Sequence, residues 1–285
     1  LLNAYGQSAT NIDFTEFDLK NGLHVILHED HSTPIVAVTV MYHVGSKNEA
    51  PSRTGMAHFF EHLLFEGSEN IARGEFDHYV ENAGGVLNAN TSQDRTFYYE
   101  LLPSNQLELG LWLESERMLH AKIQQIGIET QNEVVKEEKR QRVDNAPYGN
   151  MIAETMDACY DVHPYQWTPI GSMEHLDAST HADFMDFYDT FYVPNNATLS
   201  IAGDMDLESA KQLVKKYFQD IPKGTKAIPR PTEVEPKRTE ERRSIVYGKD
   251  RLPVVIQAYP IPAQGTPDYY AVDMLNQVLS GGASS

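Results

Sequence analysis

The sequence predicts an α+β fold, a mixed, mainly antiparallel sheet covered by helices. Three observations carry that expectation. An Asn21-Gly22 pair sits between two alternating apolar runs, the signature of a β-hairpin. Residues 35–43 (IVAVTVMYH) are β-branched and apolar enough to form a central strand. Further short strand patterns are then interleaved with stretches of helical period that are too long to be strands.

Residues 14–19 and 23–28 form the predicted hairpin, closed by a tight Asn-Gly turn. Leu23, Val25 and Leu27 face one way, and His24, Ile26 and His28 the other. His28, Glu29, Asp30 and His31 resemble a metal cluster, but they read better as a solvated strand end entering the Ser32-Thr33-Pro34 turn. After the central strand, Gly55 opens a helix that is apolar on nearly every side except at His58, Glu61 and His62. Residues 75–82 form a short amphipathic helix stopped by Gly84-Gly85, and 86–91 and 96–102 are strands, the second ended by Pro103. A helix over 104–120 presents Leu107, Leu111, Leu113 and Met118, with Ser104 as its N-cap.

Residues 129–142 form a longer, charged helix. Val134 and Val135 define its inward face, and Glu138 lies midway between them one turn on, with Gln131 one turn earlier. Glu137 points about 110° away, so Glu138 is the inward one of the two glutamates. Helices follow over 151–160, 180–191 and 207–218, with a loop over 163–171 and a strand over 197–202. Four prolines among charged residues over 222–236 read as a linker. Strand patterns at 244–247 and 254–259 and a helix over 269–279 then begin again. The expected domains are 1–221, a linker 222–240, and the opening of a second, similar domain over 241–285.

Composition narrows the function. A net charge of −18 argues against nucleic acid and anionic lipid as partners. No run of about 18 apolar residues is present, so no transmembrane helix is expected. Cys159 is the only cysteine, which excludes an intrachain disulfide and a cysteine-based zinc site. Residues 1–7 (LLNAYGQ), with small side chains at Ala4 and Gly6, resemble the end of a secretory signal and favour an exported or periplasmic protein over a cytoplasmic one. A frayed N-terminus is the alternative.

At about 100° per residue, His58, Glu61 and His62 share one arc of their helix. Buried imidazoles and a buried carboxylate need partners. A divalent metal would satisfy all three; two core histidines bonded to backbone and a surface glutamate would also fit. An inward Glu138 likewise calls for a counter-charge or a metal.

Taken together, His58-x-x-Glu61-His62 and Glu138 resemble the inverzincins, the pitrilysin, mitochondrial processing peptidase and insulin-degrading enzyme family. The stretch Gly84-Gly85-x-x-Asn88-Ala89-x-Thr91, with Thr96-x-Tyr98, is similar to the family's edge strand. Asn132 to Arg140, His163-Pro164-Tyr165 with Ile170-Gly171, and Gly281-Gly282-x-Ser284-Ser285 are similar to further family stretches. The resemblance implies one processing-peptidase-like catalytic domain plus the start of a second. It implies one Zn2+ per chain held by His58, His62 and Glu138, with Glu61 as general base. The activity implied is a zinc-dependent endopeptidase that hydrolyses peptides or unfolded segments through a zinc-bound water.

Asn88 and Ala89 are expected to hold a peptide substrate by main-chain pairing; an ordinary structural edge is the alternative. Many family members carry a second glutamate where this chain has Gln131, which could still orient a ligand by hydrogen bonding. The family encloses its site between two similar domains, so the expected partner is a second domain or a homologous subunit. Some members have lost activity, which leaves a non-catalytic zinc-binding or structural subunit as the other reading.

Overall fold

The computed structural model describes residues 12–248 and 252–282. The resemblance to a signal end at residues 1–7 and the serines at 284 and 285 lie outside the described residues. Residues through Ser244 form one compact unit and Ile245 onward a second.

The first unit is built on a six-stranded sheet: β1 (Thr15–Asp18), β2 (His24–Glu29), β3 (Ile35–Tyr42), β4 (Val86–Thr91), β5 (Thr96–Pro103) and β6 (Ala197–Gly203). The strand order is β1-β2-β6-β3-β5-β4. Only β2 and β6 run parallel, so the expected mixed, mainly antiparallel α+β architecture is what forms. The β-branched run of β3 lies between β5 and β6, where an apolar strand can be buried, and β4 ends the sheet as an edge.

Alternation along each strand sends one set of side chains inward. Val25, Leu27, Val36, Val38, Val40, Tyr98, Leu102, Leu199 and Ile201 are all buried. Helices α1 (Met56–Leu63) and α2 (Phe76–Asn82) precede β4. The rest of the helices in this unit are α3 (Leu107–Leu119), α4 (Gln125–Lys139), α5 (Met151–Cys159), α6 (Met173–Ala178), α7 (His181–Phe191) and α8 (Leu207–Phe218). Gly110 lets α3 lie directly on the sheet, because a Cβ there would come within 2.9 Å of Leu102 and 3.0 Å of Val38. Helix α1 touches β4 and β5 on one side and α4 and α7 on the other. Its nearly all-round apolar sequence follows from that sandwiched position.

The first hairpin closes as expected in a tight turn through Asn21-Gly22: the Gly22 N–H donates to Leu19 O and the Leu19 N–H to Leu23 O at 2.9 Å each, with Gly22 in the left-handed region (φ 88°). The buried Asn21 side chain is occupied there, donating to Phe218 O and Ile221 O at the end of α8. Several local expectations are corrected. Ser104 does not cap α3, which is preceded by a 3-10 turn over Ser104–Gln106 and starts without a side-chain cap. Helix α4 begins four residues earlier than expected and runs into a π-turn over Arg140–Asp144. Helix α6 falls in a stretch whose sequence reading left no element.

The proline-rich stretch has no regular structure, yet it is tied to the first unit. Arg230 donates to His43 O and to Asn196 Oδ1. Glu235 accepts from the N–H groups of Asp161, Val162 and His163 at 2.9–3.0 Å. Arg242 pairs with Asp161 at 2.7 Å.

In the second unit, α9 (Pro267–Ser280) forms as expected, with Thr266 as N-cap. The strands expected at 244–247 and 254–259 do not form. A strand needs a neighbour for its N–H and C=O groups, and none pairs with them among the described residues. No residue of α9 is buried.

Candidate metal centre

Helix α1 starts at Gly55 in the left-handed region (φ 96°) and presents His58, Glu61 and His62 one turn apart. Helix α4 crosses it and brings in Glu138. The His62 Nε2 lies 3.3 Å from His58 Nε2 and 3.2 Å from Glu138 Oε2, and His58 Nε2 lies 3.5 Å from that same oxygen. Among the described residues, this is the one group of three histidine, cysteine or acidic side chains whose ligand atoms converge.

The two valines used to orient α4 behave differently. Val135 is fully buried, whereas Val134 is 43% exposed beside the cluster. Glu138 sits on the border between that buried face and the open side, three residues after Val135, and this lets it reach both histidines while a cleft remains beside it. Glu137 is exposed and bonded to Arg140 and Gln141.

Burial sets the charge state. Removal from water lowers the His58 imidazole to about 4, so it is neutral at physiological pH. The hydrogen bond from His62 holds the Glu138 carboxyl below its ordinary range. The other Glu138 oxygen accepts from the Arg142 guanidinium at 2.6 Å. Burial raises the Glu61 carboxyl, and its Oε2 accepts from the Thr91 hydroxyl at 2.6 Å, where β4 ends.

The donor set fits a zinc ion. Three lone-pair-bearing atoms face one another with at most a proton or two to share, an arrangement a cation relieves. A tetrahedral site with metal–ligand bonds of 2.0–2.1 Å has ligand–ligand edges of about 3.3–3.4 Å. The three observed separations fall around that length.

The substrate and supporting residues are placed less uniformly. Asn88 and Ala89 lie in β4, paired on its inner side with Tyr99 and Tyr98. The Asn88 side-chain oxygen accepts from the Ala89 N–H at 2.8 Å, so an incoming strand would have to displace it. Gln131 does not bond to a member of the cluster. Its amide donates to Glu66 Oε1 at 2.5 Å, and Glu66 is in turn held by Arg73.

Sequence reading passed over the groups that hold α1 in place. Glu49, 6% exposed, receives the N–H groups of Gly55 and Ala57 at 2.9 Å each. Arg117, fully buried, donates to Leu64 O at 2.8 Å beyond the other end of the helix. The usable signal for Glu49 was negative: the residue at the cap position of α1 is Gly55, which has no side chain, so the first N–H groups need an acceptor from elsewhere.

Comparison with known proteins agrees in kind. The model of the insulinase peptidase family M16 matches residues 24–165, and that of the peptidase M16 inactive domain matches residues 179–285. Zinc protease PqqE of Helicobacter pylori is 37% identical over 271 residues, covering 94% of this chain and 61% of that protein. The mitochondrial-processing peptidase subunit beta of Saccharomyces cerevisiae is 26% identical over 266 residues, covering 92% of this chain and 57% of that protein.

Among solved structures, a protease from Helicobacter pylori matches with a TM-score of 0.77 at 37% identity, over 80% of this chain and 55% of that one. The periplasmic protease PqqL from Escherichia coli matches with a TM-score of 0.71 at 26% identity, over 81% of this chain and 26% of that one. This chain therefore spans less than two thirds of the length of these relatives.

Proposed function

This chain belongs to the M16 peptidase family, and on that premise we propose that it carries the zinc-dependent active site of an endopeptidase acting on peptides or unfolded polypeptide segments. The convergence of His58 Nε2, His62 Nε2 and Glu138 Oε2 at tetrahedral edge lengths is the observation that carries the proposal. These three residues would hold one Zn2+ per chain. Bound zinc supplies Lewis acidity, bringing the pKa of water towards 7 and polarising the scissile carbonyl.

The remaining work falls to the chain's own residues. Glu61 takes a proton from the attacking water and hands it to the leaving amine. Its partial burial raises its pKa above the ordinary carboxylate value, and the Thr91 hydroxyl holds its Oε2 in place. The substrate backbone pairs with β4 at Asn88 and Ala89, a mode that selects extended chains with little demand on sequence. A purely structural zinc subunit would have no use for a half-buried Glu61 held by Thr91.

The second wall of the cleft is proposed to come from a further domain or a homologous subunit, with residues 241–285 opening that domain after the 222–240 connection. The lack of any buried residue in α9 supports this, as does the share of the relatives that the chain leaves uncovered. We place the protein outside the cytoplasm, in line with its likeness to a periplasmic protease; processing peptidases named as mitochondrial share the family, and fractionation of the native protein separates the two.

The 285-residue chain alone is expected to bind about one zinc per molecule and to cleave peptides poorly. Joined to its second half, it should show cleavage that chelation and Glu61→Gln both abolish, with zinc retained in the variant. Purified protein that takes up no zinc, or cleavage that survives both treatments, would overturn the proposal.

A further inference from the structure

The first turn of α1 contains His58 but no capping side chain of its own. Both oxygens of Glu49 act as acceptors there: Oε2 from the Gly55 N–H and Oε1 from the Ala57 N–H. The Trp167 indole N–H donates to the same Oε2 at 3.1 Å and to Ser46 O at 2.9 Å. The segment that carries Trp167 is pressed onto the start of α1. A Cβ on Gly171 would collide with the Gly55 backbone, and Thr54 Oγ1 bonds His175 at 2.8 Å and the Ser172 N–H at 3.1 Å.

His58 gives this arrangement a consequence. A metal-binding histidine ordinarily anchors its second ring nitrogen on a carboxylate or carbonyl, which fixes the ring. The His58 Nδ1 is buried and has no hydrogen-bond partner. The aim of its Nε2 therefore depends on where the first turn of α1 places its backbone.

We propose that Glu49, braced by Trp167, is the positioning residue that aims His58 at the metal centre. This inference rests on the metal-centre reading above. It assigns a role to the 163–171 loop, whose resemblance to the family had none. The opposite end of the helix is held by the Arg117 cation on Leu64 O, which matches the helix dipole.

Cobalt(II) provides the test, because its visible d–d bands report coordination geometry without any turnover. The 285-residue chain and its Glu49→Ala, Glu49→Gln and Trp167→Phe variants are titrated with Co2+ in competition with a chelating dye, and far-ultraviolet circular dichroism checks folding. Glu49→Ala is expected to bind about 10–100-fold more weakly, the range for loss of a group that orients a ligand, with altered bands. Glu49→Gln, which keeps one acceptor oxygen, should fall between it and wild type, and Trp167→Phe should shift in the same direction by less.

A cap that serves stability alone would lower the melting temperature and leave the bands of the folded protein unchanged. Folded Glu49→Ala with wild-type affinity and bands overturns the proposal, as does wild-type behaviour in both Glu49→Gln and Trp167→Phe where Glu49→Ala does not fold. Failure of the wild-type chain to bind Co2+ or Zn2+ overturns the metal-centre reading itself, and this inference with it.

Discussion

Replacing Arg117 by methionine should be among the most damaging single changes outside the metal centre. The guanidinium is fully buried, 3.0 Å from Glu114 Oε1 and 3.7 Å from Glu100 Oε1. It also lies 4.2 Å from the Tyr98 ring centroid and 4.4 Å from those of Phe65 and Phe76. Burial holds the Glu100 carboxyl well above the ordinary carboxylate range, so at neutral pH the cluster balances one cation against the charge on Glu114.

Methionine fills the volume but leaves that charge unpaired in the core, and Leu64 O without its donor. Breaking a buried pair from one side costs about 3–5 kcal/mol, against roughly 5–15 kcal/mol for a whole domain. Urea titration followed by the fluorescence of Trp112 and Trp167 measures the loss directly. With a urea slope of about 1–3 kcal/mol/M, the midpoint should fall by more than about 1 M. Adding Glu114→Gln should recover part of it, since removing both charges avoids the uncompensated one. A loss under about 1 kcal/mol, or a second substitution that deepens the loss, would refute the reasoning.

Further outcomes follow from the same geometry. Glu100→Gln should stabilise the protein increasingly as pH rises. A carboxyl whose folded pKa is raised gives its full stability below the unfolded value and loses it as pH climbs towards the folded value, so the variant should gain about 1.4 kcal/mol per pH unit above about 4.3; a pH-independent difference in urea midpoints would count against it. Glu138→Gln should weaken zinc binding by more than about 100-fold, while Glu137→Gln leaves it unchanged in the same competition titration. Thr91→Val, in the protein joined to its second half, should retain zinc and lower kcat by about 10–100-fold, the equivalent of the ~1.5–3 kcal/mol of a hydrogen bond to a charged group; Thr91→Ser should restore most of it.

The sequence-level reading and the structure part company at the scale of the interaction. Alternation and helical period placed β3, α1, α8 and most other elements close to where they form, because each reflects neighbours along the chain facing one environment. The same periodicity separated Glu138 from Glu137 although Val134 turned out to face the open side, since the correct answer depended on Val135 and an angle alone. His58, Glu61 and His62 were legible for the same reason, being one arc of one helix.

Contacts set by distant parts of the chain were not legible. The Asn-Gly turn forms, but the hold of its Asn21 amide on carbonyls at the end of α8 could not be read locally, and the strands expected after 244 lacked partners to pair with among the described residues. Gln131 reads as support for the metal ligands, yet it turns to Glu66. By itself the sequence determined all six strands and most helices of the first unit, the edge-strand motif and the polar arc of His58, Glu61 and His62. Only the tertiary structure decided which polar groups meet in the interior. Arg117 on Leu64 O, Thr91 on Glu61 and Trp167 on Glu49 are joined by burial and hydrogen bonding across long stretches of chain, and no local period encodes that.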